Sequence, residues 1–133
     1  MSTVLFVCRQ NAGRSQMSQA LFERLAAGKH HALSAGTTPA AKVHPQVIEV
    51  MNEIGINLSD RAPRRLNREL AEQADLVITM GCGDQCPVIP GKHYIDWDLP
   101  DPASQPIDIV RAVRNDISQR IRDLLAELGD SDA

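Results

Sequence analysis

Aromatic residues are scarce: one tryptophan, one tyrosine and two phenylalanines make up 3% of 133 residues. So few rings exclude a protein that holds nucleic acid by stacking bases, and a net charge of -3 with scattered lysines and arginines removes the basic surface such proteins use. Long hydrophobic runs are also missing. No stretch approaches the roughly eighteen apolar residues of a membrane span, and the first residues carry no basic leader, so a cytoplasmic protein without membrane attachment is expected. Cysteines number only three, an odd count that argues against a disulfide framework and, in a reducing compartment, points to cysteine chemistry. There are no internal repeats or low-complexity segments. What remains, 43% hydrophobic and 23% charged residues, is an ordinary globular composition that predicts a single domain over residues 1–133 with one core.

Strand-like and helix-like segments alternate along the chain. Val4 to Val7 is a continuous apolar run expected of a buried parallel strand. Ser15 to Ala27 then places Met17, Ala20, Leu21, Phe22 and Leu25 on one helical face. His31 to Ala35 predicts a short strand ending at Gly36, and Pro45 to Ile54 a helix with Val47, Ile48, Met51 and Ile54 inward, closed by Gly55. Arg65 to Ala74 predicts a polar helix with Leu66 and Leu70 inward; Leu76 to Met80 a second buried strand; His93 to Asp96 a weaker one. The glycines and prolines between Gly81 and Lys92 predict a loop. The clearest helix is the last, with Ile109, Val110, Val113, Ile117, Ile121, Leu124, Leu125 and Leu128 recurring every three or four residues. This order predicts an α/β fold in three layers, a small parallel sheet of about four strands with helices on both faces. Ligands of such sheets bind beyond the carboxyl ends of the strands, so the loops after Val7, Met80 and Asp96 are expected to share one edge.

The first of those loops carries the chemistry. Cys8 is followed by five residues, Arg14 and Ser15, where a strand gives way to a helix. Backbone N–H groups of a tight loop and the first helical turn converge there with the positive end of the helix dipole, a ready site for a tetrahedral anion. The same field stabilises a thiolate. Arg14 adds a planar cation that can hold two oxygens, Gly13 permits close backbone approach, Asn11 tolerates a left-handed conformation, and Ser15 brings a hydroxyl within reach of the thiolate. Alone, Cys8 would be read as a small buried hydrophobe; its neighbours make it a candidate nucleophile, with residues Gln10, Asn11, Ala12, Gly13, Arg14 and Ser15 as the oxyanion loop.

Cys8 to Met17, Ser34 to Thr37, Asp75 to Cys82 and the pair Asp101 and Pro102 together resemble the arsenate reductases built on the low-molecular-weight protein tyrosine phosphatase fold. The likeness spans nearly the whole chain, and the segments Asn11 to Met17 and Met80 to Pro87 look specific to the reductase branch. Arg9 and Gln10 depart from the small residue and histidine found there in many members. The resemblance implies that Cys8 attacks arsenate in line, that Arg14 and the loop amides hold its oxygens, and that Asp101 is the general acid. Asp96 and Asp98 compete for that role, and Asp101 is also a natural turn former before Pro102. It further implies that Cys82 resolves the arsenic adduct and Cys86 takes over the disulfide, although two loop cysteines near His93 could instead bind zinc or be inert. No metal or tightly bound cofactor is expected; relatives that bind an alkali cation use an acidic residue where Gln19 stands. Phosphate and sulfate would compete with arsenate. The electron donor is either thioredoxin, or mycothiol with a glutaredoxin-like partner. Two other functions stay open: a protein tyrosine phosphatase using Cys8, Arg14 and Asp101, and a noncatalytic oxyanion or redox sensor. His30, His31 and His44 are expected at exposed element ends, Arg61, Arg64 and Arg65 on a solvated face, and Trp97 and Tyr94 either at the pocket or in packing.

Overall fold

The computed structural model describes residues 2–81 and 93–128. Its elements run β1 (Thr3–Cys8), α1 (Arg14–Ala26), β2 (His31–Gly36), α2 (Pro45–Asn52), α3 (Arg68–Gln73), β3 (Leu76–Thr79), β4 (His93–Asp96) and α4 (Ile107–Leu128). All strand pairs are parallel, in the order β2-β1-β3-β4. The expected sheet is therefore present, with β1 at its centre. The chain leaves β1 for β2 on one side and later returns to β3 on the other, so the loop after Cys8 lies where the strand order reverses, the usual ligand crevice of such sheets.

Two hydrophobic clusters follow from the two-residue period of β1. Val4, Phe6 and Cys8 face one side, where residues of α1, α2 and α4 cover them; Leu5 and Val7 face the other, against Leu70 and Ala71 of α3. Phe6 packs edge-on against Phe22 with ring centres 5.7 Å apart and at a tilt against Trp97 at 5.9 Å. Burying side chains of this size contributes about 1.5 to 3 kcal/mol each, so β1 is the fixed point from which its terminal loop projects. Trp97 is buried and Tyr94 packs against the α3-side cluster, which settles their open role in favour of packing.

Several expectations need correction. The helix expected from Arg65 to Ala74 covers only Arg68–Gln73. Arg65 instead pairs with Gly36 in a parallel bridge, Leu66 N–H donates to Gly36 O, and Asn67 caps the helix by accepting from Leu70 N–H. Ile109, counted inward on α4, is 40% exposed, because its neighbour Val110 takes the core position. Helix α2 ends at Asn52 rather than Ile54. The three arginines do lie at the surface as expected, Arg64 and Arg65 exposed and Arg61 partly so, but none is free there: Arg61 bonds Glu23, Arg64 Nε donates to Ser34 O, and Arg65 to Thr37 O. His30 is no free element end either, since its Nδ1 accepts from Ser2 N–H. Among the described residues no helix is long and apolar enough to cross a membrane.

Candidate active site

The loop from Cys8 to Arg14 is shaped by where its carbonyls go. Cys8 O accepts from Thr37 N–H, Arg9 O from Thr38 N–H at 2.7 Å, Gln10 O from Ala40 N–H, and Ala12 O from His44 N–H. In a planar trans peptide the next residue's N–H points opposite the carbonyl. Tying four carbonyls outward to the 37–44 segment therefore turns the N–H groups of residues 9, 10, 11 and 13 to the other side of the loop. Gly13 precedes α1 with no side-chain cap, and no acidic residue occupies the first turn, so the helix dipole is not neutralised there. Gly36 makes the arrangement possible. A Cβ on it would lie 2.7 Å from Arg9 O and 2.9 Å from Asn11 N, so only glycine lets β2 end this close to the loop.

Asn11, Ser15 and Gln16 form a buried chain of hydrogen bonds behind Cys8. Asn11 adopts φ 51°, the left-handed conformation expected of it. Its Oδ1 accepts from the Arg64 backbone N–H at 3.0 Å, an unambiguous donor, which fixes the amide so that Nδ2 donates to Ser15 Oγ at 2.7 Å. Ser15 Oγ lies 2.8 Å from Cys8 Sγ, and either atom can be the donor in this pair; toward a thiolate, which has no proton, the hydroxyl donates. Gln16 Nε2 reinforces Asn11 Oδ1 at 3.2 Å and also donates to Ala62 O. Cys8 is buried and not in a disulfide.

Arg14 approaches from the first turn of α1. Its Nη1 donates to Leu99 O at 3.2 Å, its Nη2 lies 3.6 Å from Asp101 Oδ2, and its side chain is 7% exposed. Asp101 is 58% exposed and also accepts from Ala103 N–H, so the turn-forming and site-facing roles weighed for it coexist. Pro102 brings this loop onto the anion loop, its Cγ lying 3.1 Å from where a Gly13 Cβ would be. The rival carboxylates are placed differently: Asp96 accepts from Thr79 Oγ1, and Asp98 is exposed, its backbone carbonyl accepting from Arg120. Arg9 and Gln10 are exposed at the rim. The Gln19 amide accepts from Ser34 Oγ and donates to Ala32 O. Cys82 and Cys86 fall outside the described residues; Gly81, directly before Cys82, is packed against Arg14.

The sequence pattern of the low molecular weight phosphotyrosine protein phosphatases matches residues 3–133. The match covers nearly the whole chain, which belongs to this family of phosphatase-like proteins. Within it the similarity points further. The glutaredoxin arsenate reductase of Synechocystis is 34% identical over 131 residues, covering 96% of this chain and 99% of the relative. The thioredoxin-dependent arsenate reductase of Corynebacterium glutamicum superposes with a TM-score of 0.82 at 42% identity. It covers 96% of this chain, which spans 61% of that structure's chain. An arsenate reductase solved in its phosphate-binding state gives 0.85 at 33% identity, with 97% of this chain and 100% of the other covered.

Proposed function

We propose that this protein reduces arsenate to arsenite through a covalent adduct on Cys8. The observation that carries this reading is the pinned loop: four carbonyls held outward turn amide donors to the other side of a loop that runs from a buried cysteine, hydrogen-bonded with the Ser15 hydroxyl, to Arg14. Arsenate binds with its oxygens on these donors, and the Cys8 thiolate attacks arsenic(V) in line. An As–S bond forms and an oxygen departs as water, taking a proton from Asp101, the carboxylate placed beside Arg14. Cys82 then attacks Cys8 Sγ. The S–S bond forms as the As–S electron pair returns to arsenic, which leaves as arsenic(III), that is, arsenite. Cys86 attacks Cys82 and frees Cys8, and an external dithiol reduces the Cys82–Cys86 disulfide. Overall, two thiols become one disulfide while arsenic gains two electrons.

The reductant is an external thiol rather than a tightly bound cofactor. Thioredoxin is favoured by the Corynebacterium neighbour and by the cysteine pair four residues apart, and the Synechocystis relative keeps a glutaredoxin-linked route with a small thiol such as mycothiol in view. A phosphatase acting on aryl phosphates is less well served, because all four aromatic residues are committed to packing and none is available to clamp a substrate ring. The test is product analysis on arsenate, with thioredoxin and its reductase in one arm and mycothiol with its glutaredoxin-like partner in the other. Arsenite from the wild type with thioredoxin, and a single turnover leaving a Cys8–Cys82 disulfide in Cys86→Ser, are expected. Normal turnover of Cys82→Ser and Cys86→Ser with mycothiol would replace the internal relay, and aryl phosphate hydrolysis without arsenite would replace the reaction.

A further inference from the structure

We infer that Gly81 is a positioning residue for Arg14: the absence of a side chain at Gly81 creates the space in which the guanidinium lies against the oxyanion loop. Three observations carry this. A Cβ built on Gly81 would overlap Arg14 Nη1 outright and would lie 3.0 Å from Cζ and 3.3 Å from Nη2, so it would meet the whole guanidinium plane and not only its tip. The guanidinium has little freedom to withdraw, since it is also held by Leu99 O and Asp101 among the described residues and its side chain is 7% exposed. The backbone at Gly81 has φ +81°, the left-handed region that favours glycine, so an L-residue there would be strained as well as in collision. The two groups come from distant parts of the chain, the end of β3 and the start of α1. Arg14 is useful only if its fork meets two oxygens at once, so a displacement of about 1 Å removes the bidentate geometry while keeping the charge.

The position also links the two halves of the proposed reaction. The residue that seats the anion-binding cation is bonded directly to Cys82, so the tether of the second thiol and the wall behind Arg14 are one piece of backbone. This inference rests on the reading of the Arg14 loop as an oxyanion site, and it is tested with inorganic phosphate so that it stands or falls apart from arsenate reduction.

A control for backbone strain exists in the same chain. Gly28 has φ +86° with nothing within 4 Å of its built Cβ, so Gly28→Ala imposes left-handed strain alone, whereas Gly81→Ala imposes the strain and the collision. Phosphate affinity by calorimetric titration, kcat/KM for arsenate and the melting temperature are measured for both. Gly28→Ala is expected to lower the melting temperature while leaving phosphate affinity and kcat/KM within twofold of wild type. Gly81→Ala should weaken phosphate binding at least about tenfold and lower kcat/KM about 10²-fold or more, the scale of losing one oxyanion-stabilising group. In an Arg14→Ala background, adding Gly81→Ala should cost no further phosphate affinity. If Gly81→Ala does not fold, the Arg14→Ala/Gly81→Ala double variant must, because the collision is gone. Phosphate affinity of Gly81→Ala within twofold of Gly28→Ala, an undiminished loss in the Arg14→Ala background, or a double variant that also fails to fold would each overturn the assignment. Arsenite formation by the wild type is scored separately: its failure would remove the arsenate reading and leave the phosphate data to decide Gly81.

Discussion

Replacing Asn11 by alanine separates the loop's architecture from its chemistry. The side chain is fully buried and makes three hydrogen bonds, to Ser15 Oγ, Gln16 Nε2 and the Arg64 backbone N–H. At about 1 kcal/mol for each bond, and about 1 kcal/mol more for alanine in a left-handed conformation, the gross loss is about 4 kcal/mol. The Arg64 N–H lies in a part-buried setting where water recovers some of its bond, which brings the net to about 3 kcal/mol. For a chain of this length that corresponds to a fall in melting temperature of about 10 °C. Asn11→Gly removes the same bonds without the conformational strain and should be about 1 kcal/mol more stable than Asn11→Ala. Both variants free the Ser15 hydroxyl to rotate away from Cys8, so turnover should fall about tenfold or more, as when a hydrogen bond to a charged reacting atom weakens. Urea unfolding with steady-state arsenite production reads both effects. A loss below about 1 kcal/mol with unchanged turnover would refute the view that Asn11 organises the loop.

Two further outcomes follow from other parts of the structure. Asp101→Asn should lower kcat by about two to four orders of magnitude with a much smaller change in phosphate affinity; an unchanged rate, with the loss found in Asp96→Asn or Asp98→Asn, would move the general acid upstream. Glu53 accepts from Arg111 and Arg114, and these bonds lower its pKa from 4.5 to about 2. A depressed carboxylate pKa contributes stability that is full above the unfolded value and is lost as pH falls through the folded one. Glu53→Gln should therefore melt below wild type at neutral pH, and the gap should close between about pH 4.5 and 2, tracked by melting curves in low salt. A gap independent of pH would mean the Glu53 contribution is packing rather than charge.

Features that depend on local chain chemistry were legible before any fold was known. The apolar run of β1, the helical period of α4 and the strand-to-helix turn expected between Cys8 and Arg14 are short-range patterns, and the structure has each of these elements. What escaped reading is tertiary. Arg64 looked like one of three solvated arginines, yet its backbone N–H, 53 residues away in sequence, holds Asn11. Nothing local marks a main-chain donor as a strut. Gly36 reads as a strand end and Gly81 as a loop glycine, whereas their importance lies in the atoms that approach them from elsewhere. The Arg65 to Ala74 error is different, because the signal was present: Asn67 ahead of Glu69 and Leu70 is a cap, and the residues before it were free to pair with Gly36. Ile109 fits the period of its helix as well as its buried neighbours do, and only the position of α4 against the sheet decides between them.

The most direct test of the whole account is arsenite production by Cys8→Ser. The carbonyl bonds that shape the loop and the contacts of Arg14 do not involve the sulfur, so this variant should fold, melt near wild type and still bind inorganic phosphate. It should produce no arsenite from arsenate under conditions where the wild type turns over with a thiol reductant. Arsenite formation by Cys8→Ser at close to the wild-type rate would contradict the assignment of Cys8 as the nucleophile and the mechanism built on it.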